Sequence, residues 1–158
     1  MPKTEEQFES QPSAPIDFFE VRMRDLLNFY LVKECGENYW EEAIPRKIRE
    51  KTNIRIQEDL RIHPYKEAEY IDCRERLDFF NIIDYLEIIH EHWPLFQNIF
   101  GSRRELKKHL LALNEYRNMI KHIRKQDVVV KKNGEGAILW FERMLDRDEE
   151  SREETVIS

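Results

Sequence analysis

Glycine and proline are scarce in this chain, and their scarcity constrains its fold more strongly than any single motif. Only 4 of the 158 residues are glycine and 6 are proline, whereas 37% are charged. A β-rich domain uses these residues in frequent turns, while long helices with short connections need few of them. The composition therefore predicts an all-α protein, and the length is that of one ordinary domain.

Helical spacing and helix-ending residues predict four to five helices. The first runs from near Ile16 to Gly36. A short helical turn around Trp40 and a second one opened by Pro45 follow it. Residues 53–65 have few periodic cues and are interpreted as a connector. A second helix is expected over 66–92, a short one ends at Gly101, and a capping box at Ser102 opens the next.

The ends of the chain and one internal segment do not follow this pattern. Residues 1–15 are polar and aperiodic, which predicts a disordered tail before a helical domain at 16–148. Residues 149–158 are predicted to be an acidic tail. The β-branched residues and two glycines of 127–136 predict a short extended loop or hairpin before the last helix.

Charge is distributed unevenly along the chain. The net charge is −6, yet residues 101–132 contain ten basic side chains and three acidic ones, a local charge of +7. The remaining residues therefore carry −13. Phosphate binding requires clustered lysine and arginine, so this basic segment is a candidate surface for an anionic ligand, or else a solvated helix face.

Several functional classes have no support in the sequence. The cysteines Cys35 and Cys73 fit no metal-binding or disulfide pattern, and we expect reduced thiols. No metal or cofactor motif is present, so neither is predicted. No signal peptide and no apolar stretch of about 18 residues is seen. We therefore expect a cytoplasmic protein without a membrane segment.

An arginine interrupts the apolar stripe of the helix after Ser102. At about 100° per residue from Leu106, Leu110 lies at about +40°, Leu113 at about −20° and Ile120 at about −40°. Arg117 lies among them at about +20°. An isolated buried guanidinium is costly, so it must meet a carboxylate, a water-filled cleft or an anionic ligand.

The carboxylate alternative is a structural ion pair. Asp84 or Glu87, on the predicted helix over 66–92, could supply the acid. The functional alternative rests on the residues that follow Arg117, because Asn118 and His122 complete an R-x4-H spacing. Arg104 and His109 have the same spacing, but Arg104 falls near 160°, where a charge belongs at the surface.

Three stretches resemble one known family. RNMIKH at 117–122 is similar to the signature of the HEPN superfamily (higher eukaryotes and prokaryotes nucleotide-binding), in its ribonuclease branch. CGENYWEEAIP and DYLEIIHEHWPLFQNIFG resemble segments of the subgroup found beside RNA-processing endoribonuclease and bacterial defence modules. The likeness covers residues 18–145 and implies a HEPN-like helical bundle.

The resemblance implies a metal-independent endoribonuclease. In this chemistry the ribose 2′-hydroxyl attacks the adjacent phosphate and leaves a 2′,3′-cyclic phosphate. His122 suits proton transfer, Arg117 suits stabilisation of the phosphorane, and Asn118 is expected to orient the phosphate or the histidine. The residues expected to contact the RNA backbone are Asn114, Lys121, Arg124 and Lys125.

Helix geometry adds an expectation about assembly. Arg117 and His122 are separated by about 140° and about 7.5 Å on an ideal helix, so one chain cannot easily bring both to one phosphate. A two-fold homodimer can, and HEPN ribonucleases resemble this arrangement. The expected partners are RNA, a second copy, and an antitoxin or larger defence complex. The alternatives are a non-catalytic module that binds RNA, nucleotide or protein, and a purely structural adaptor.

Overall fold

The computed structural model describes residues 13–122 and 126–157, and these residues form helices and no strand. The all-α prediction is therefore confirmed for the described chain. Three single turns of 3-10 helix occupy Pro64–Lys66, Glu69–Ile71 and Leu77–Phe79. The α-helices are α1 (Ala14–Cys35), α2 (Trp40–Ala43), α3 (Arg46–Ile62), α4 (Cys73–Arg76), α5 (Ile82–Glu91), α6 (Trp93–Phe100), α7 (Arg103–Lys121) and α8 (Val128–Ile157).

Three helix boundaries lie where the sequence places them. Gly36 follows α1 with a φ of 86°, and Gly101 follows α6 with a φ of 75°, a region that favours glycine. At the start of α7 the Ser102 hydroxyl accepts a hydrogen bond from the backbone N–H of Glu105 at 3.3 Å. These local signals were sufficient because each depends on one or two neighbouring residues.

The middle of the chain differs from prediction in two ways. The connector predicted over 53–65 is wrong, since α3 continues to Ile62, and its inward residues Thr52 and Ile56 are buried. The single helix predicted over 66–92 is also wrong. Asp72 caps the backbone N–H of Arg74, which starts the separate short helix α4.

The start of α5 explains why the predicted helix is broken. The Asn81 side chain accepts a hydrogen bond from the N–H of Asp84 at 2.9 Å, and the Asp84 carboxylate accepts one from the N–H of Asn81 at 2.9 Å. This reciprocal arrangement is a capping box. A helix therefore begins here, and the chain contains more helices than the four to five predicted.

The extended loop predicted over 127–136 is wrong, because α8 already begins at Val128. The Asp127 carboxylate accepts a hydrogen bond from the N–H of Val129 at 2.9 Å, which supplies the missing start signal. Gly134 is buried, and a Cβ atom there would come within 2.5 Å of the Tyr116 side chain. Close packing of α8 on α7 thus outweighs the low helix propensity of glycine and valine.

The bounds of α1 and α8 also change the predictions made for the two ends of the chain. Residues 1–12 of the predicted disordered tail lie outside the described residues, and α1 begins within its last part, at Ala14. At the other end α8 continues through the predicted acidic tail to Ile157, so residues 149–157 are helical.

The described residues divide into two compact units, one made of residues 13–22, 92–122 and 126–157 and the other of residues 23–91. In the first, Phe19 packs on Phe141 with ring centroids 4.7 Å apart. In the second, Trp40 stacks on Phe80 with ring centroids 5.8 Å apart, and Tyr39, the residue before Trp40, is fully buried. Within the described ranges, none of the helices combines the length and apolar character needed to cross a lipid bilayer.

Candidate functional site

The apolar stripe of α7 is buried as its spacing predicts. Leu106, Leu110 and Leu113 are all 0% exposed, and α7 packs along α8. The contacts run from His109, whose ring stacks on Trp140 at 4.4 Å, to Tyr116, which lies against Gly134. Helix α7 therefore contacts α8 both before and after Leu113, and Arg117 directly follows the second of these contacts.

Arg117 forms an ion pair with Glu20 of α1. The Glu20 side chain is 4% exposed, so its carboxylate has lost almost all contact with water, whereas the Arg117 side chain is 36% exposed. A guanidinium carries five N–H donors, and one carboxylate cannot occupy all of them. Glu20 thus neutralises the Arg117 guanidinium, while part of the arginine side chain remains accessible to solvent.

Asp84 is not the partner of the arginine, which corrects the prediction made from the sequence. Asp84 instead binds Lys51, with 2.5 Å between Oδ1 and Nζ, in addition to capping α5. The correct acid, Glu20, was missed because it comes from the first helix. A signal for it exists: Ile16, Glu20, Met23 and Leu27 share helical spacing, which places one carboxylate on the buried stripe of α1.

The other candidate residues of α7 surround Arg117 with graded exposure. Asn114 is half-buried, while Asn118, Lys121 and His122 are exposed. The backbone carbonyl of Asn118 accepts a hydrogen bond from the N–H of His122 at 3.1 Å, so His122 forms the cap after the last helical residue. The predicted RNA contacts Arg124 and Lys125 lie outside the described residues.

This arrangement has a definite chemical capacity. An accessible guanidinium, a side-chain amide and an imidazole at one helix end can donate hydrogen bonds to phosphate oxygens or move a proton. The imidazole belongs to the residue that directly follows α7. Arg117 and His122 are five residues apart, which is about 7.5 Å along an ideal helix, so the two side chains of one chain do not easily reach the same phosphate.

The second R-x4-H spacing has a structural explanation. Arg104 is exposed, as predicted, while the His109 side chain is 17% exposed, stacks on Trp140 and lies 3.5 Å from a Glu105 carboxylate oxygen. Burial lowers the pKa of His109 below its usual value of 6.5, although Glu105 acts in the opposite direction. His109 therefore contributes to the packing of α7 on α8, whereas Arg104 is exposed to solvent.

Comparison of the chain with protein-family models, with curated proteins and with solved structures found no match. Among residues 13–122 and 126–157, no group of three or more His, Cys, Asp or Glu side chains has an arrangement that could hold a metal ion.

Proposed function

We propose that this chain is a member of the ribonuclease branch of the HEPN superfamily and acts as a metal-independent endoribonuclease. The observation that carries the proposal is the half-exposed Arg117, held in place by the buried Glu20. Burying two charges rarely stabilises a fold more than two apolar residues would. An arginine retained on an apolar stripe, beside exposed Asn118 and His122, is therefore better explained by use than by packing.

The reaction assigned to these residues is an in-line displacement. The 2′-oxygen of the ribose forms a bond to phosphorus, the bond from phosphorus to the 5′-oxygen breaks, and the product carries a 2′,3′-cyclic phosphate. His122 removes the proton of the 2′-hydroxyl or donates one to the leaving 5′-oxygen. Arg117 donates hydrogen bonds to the phosphorane oxygens, and Asn118 orients the phosphate.

The same proposal includes a homodimer. A two-fold contact along the C-terminal end of α7 would place His122 of one protomer near Arg117 of the other, which removes the separation imposed by one helix. Lys121, Arg124 and Lys125 from both copies would then bind RNA phosphates with little base recognition. A role in RNA processing, defence or a toxin system, with an antitoxin as a further partner, belongs to this hypothesis.

A second candidate function is RNA binding without catalysis. The ion pair to Glu20 is the observation that favours it, because a carboxylate bound to Arg117 reduces the positive charge available to a phosphorane. This candidate predicts RNA affinity that falls steeply with salt and no product with a cyclic phosphate.

The deciding experiment incubates the purified chain with total RNA in the presence of EDTA and determines the end groups of the products. We expect cyclic phosphate ends, and we expect His122→Ala to reduce cleavage at least about 100-fold. His63→Ala is the matched control, since His63 follows α3 and contacts Tyr65.

Three outcomes separate the candidates. Cleavage that disappears in EDTA, or that survives in His122→Ala, contradicts the proposed mechanism. RNA binding without any cleavage supports the second candidate. A dimer in solution that dissociates on substitution at the end of α7, with loss of cleavage, would support the composite site.

A further inference from the structure

The first two turns of α7 carry a cluster of exposed basic residues that the proposed active site does not use. We call it the basic patch, and it consists of Arg104, Lys107 and Lys108, all of them exposed. Relative to the buried Leu106, their positions are about 160°, 100° and 200° around the helix. All three are therefore exposed and lie away from the stripe formed by Leu106, Leu110 and Leu113.

The residues of the basic patch form no ion pair with any residue that the structure describes. Glu105 is the acidic residue of the same two turns of α7. Its carboxylate lies 3.5 Å from the His109 ring and forms no ion pair with the patch. The patch thus presents positive charge that the protein itself does not neutralise.

Local helix physics does not explain the position of this charge. The N-terminal end of a helix carries a partial positive charge, so basic residues there are unfavourable. Arg103, the first residue of α7, has a local partner because its guanidinium lies 5.3 Å from the Trp93 ring centroid. The three residues of the patch have no comparable partner, and an external anion would offset both the dipole and their mutual repulsion.

We infer that the basic patch is a second RNA-binding site, which holds the phosphate backbone of a single strand whose scissile phosphate lies at Arg117. The inference rests on the proposed RNA substrate. Lys108 and Arg117 are nine residues apart on one helix, which is about 14 Å along its axis and about 180° around it. Around a helix about 10–12 Å in diameter the path between them is about 22 Å, which corresponds to about six nucleotides at a charge spacing of about 3.4 Å in one stacked strand.

The patch therefore defines the class of substrate. An RNA that extends about six or more single-stranded nucleotides from the cut binds both regions of α7, whereas a trinucleotide reaches only the region of Arg117. Contacts to phosphates alone carry no sequence information, so the patch contributes affinity and orientation and leaves base preference unchanged.

The test compares two triple variants with the same loss of charge. The first is Arg104→Gln, Lys107→Gln, Lys108→Gln. The control is Arg61→Gln, Lys33→Gln, Lys47→Gln, three exposed residues outside α7 that form no ion pair with described residues. The probe is a labelled oligouridylate of about 12 nucleotides with 2′-O-methyl groups, which the proposed reaction cannot cleave because it lacks the attacking hydroxyl.

We expect the patch variant to bind this probe about 10-fold more weakly at low salt, while the control stays within about twofold of the unmodified chain. The slope of log affinity against log salt should fall by about 2, since each single-strand phosphate contact contributes about 0.7. Equal affinity and slope in the two variants, or no binding of the probe by the unmodified chain, would overturn the inference.

The same variants separate this inference from the proposed ribonuclease function. Absence of cyclic phosphate products, with the binding difference preserved, overturns the catalytic proposal and supports the patch. Cleavage by the unmodified chain, with identical binding and cleavage of long RNA in both triple variants, does the reverse. Unfolding curves check that neither variant has lost its fold.

Discussion

Two ion pairs of similar burial occur in the two units of this protein. Glu20 and Asp84 are each 4% exposed, and their cations, Arg117 and Lys51, are 36% and 38% exposed. Their settings differ, however. Asp84 stands at the start of α5, where it also accepts the N–H of Asn81, whereas Glu20 lies within α1, where no helix end needs a cap.

The comparison teaches that burial of a charge does not by itself indicate function. Helix capping explains why Asp84 is buried, and Lys51 then neutralises it. No capping requirement explains Glu20, whose position instead matches a guanidinium on the stripe of α7. We therefore assign the Asp84 pair to the fold and the Glu20 pair to the site, an assignment that the following measurements can break or sharpen.

The largest expected difference is in catalysis. Arg117→Gln should reduce RNA cleavage at least about 100-fold, because the phosphorane loses its fixed cation. Lys51→Gln removes a cation of similar exposure, and we expect cleavage within about twofold of the unmodified chain. Initial rates in EDTA measure both. Similar losses in the two variants would remove the distinction between the pairs.

The next expected difference is in stability, where loss of Asp84 should have a larger effect than loss of Glu20. Asp84→Ala removes a helix cap and a charge-assisted hydrogen bond, and we expect a loss of about 3 kcal/mol in unfolding free energy. Glu20→Ala leaves Arg117, which is already partly hydrated, and should cost about 1 kcal/mol. Urea denaturation compares the two, and a larger loss for Glu20→Ala would show that its role is structural.

A third test concerns the helix that positions Arg117. Gly134→Ala places a methyl group within 2.5 Å of Tyr116, the residue before Arg117, and should cost about 2 kcal/mol and reduce cleavage. Gly136→Ala is the control, because nothing lies within 4 Å of its added atom and helix propensity should improve by up to about 1 kcal/mol. Unchanged cleavage in Gly134→Ala would show that the site tolerates displacement of α7.

The smallest expected effect is on the pH dependence of stability, and it concerns His109 on the helix that carries Arg117. Because burial lowers the pKa of His109 on α7, the unfolded chain takes up this proton first as pH falls. The contribution of His109 is complete above about pH 6.5 and is lost as pH drops through 6.5 toward the folded pKa. His109→Gln should flatten the unfolding free energy between pH 7 and pH 5, which urea denaturation at a series of pH values measures.

The sequence predicted the features that depend on neighbouring residues. The caps at Gly36, Gly101 and Ser102 and the buried stripe of α7 are local, since one helix turn contains the whole signal. The inward position of Arg117 followed from the same periodicity. Its exposure and its partner did not, because Glu20 belongs to a distant part of the chain and several acids were equally plausible.

The errors in the fold have a common physical cause. Residues 53–62 have few periodic cues and residues 128–136 have weak helix propensity, yet both are helical, with Ile56 and Gly134 buried against neighbouring residues. Conversely, the caps at Asp72 and Asn81 interrupt a stretch with good helical spacing. Capping hydrogen bonds and interhelix contacts depend on three-dimensional arrangement, which hydrophobic period alone does not specify.

The contact between Gly134 and Tyr116 also fixes the register of α8 along α7. A slide by one helical turn, about 5.4 Å, would bring Val130 or Ile138 opposite the tyrosine, where even a methyl group has no room. The two helices therefore interlock at a single offset. Backbone amides beside this notch should be among the slowest in the first unit to exchange their hydrogens with deuterated water.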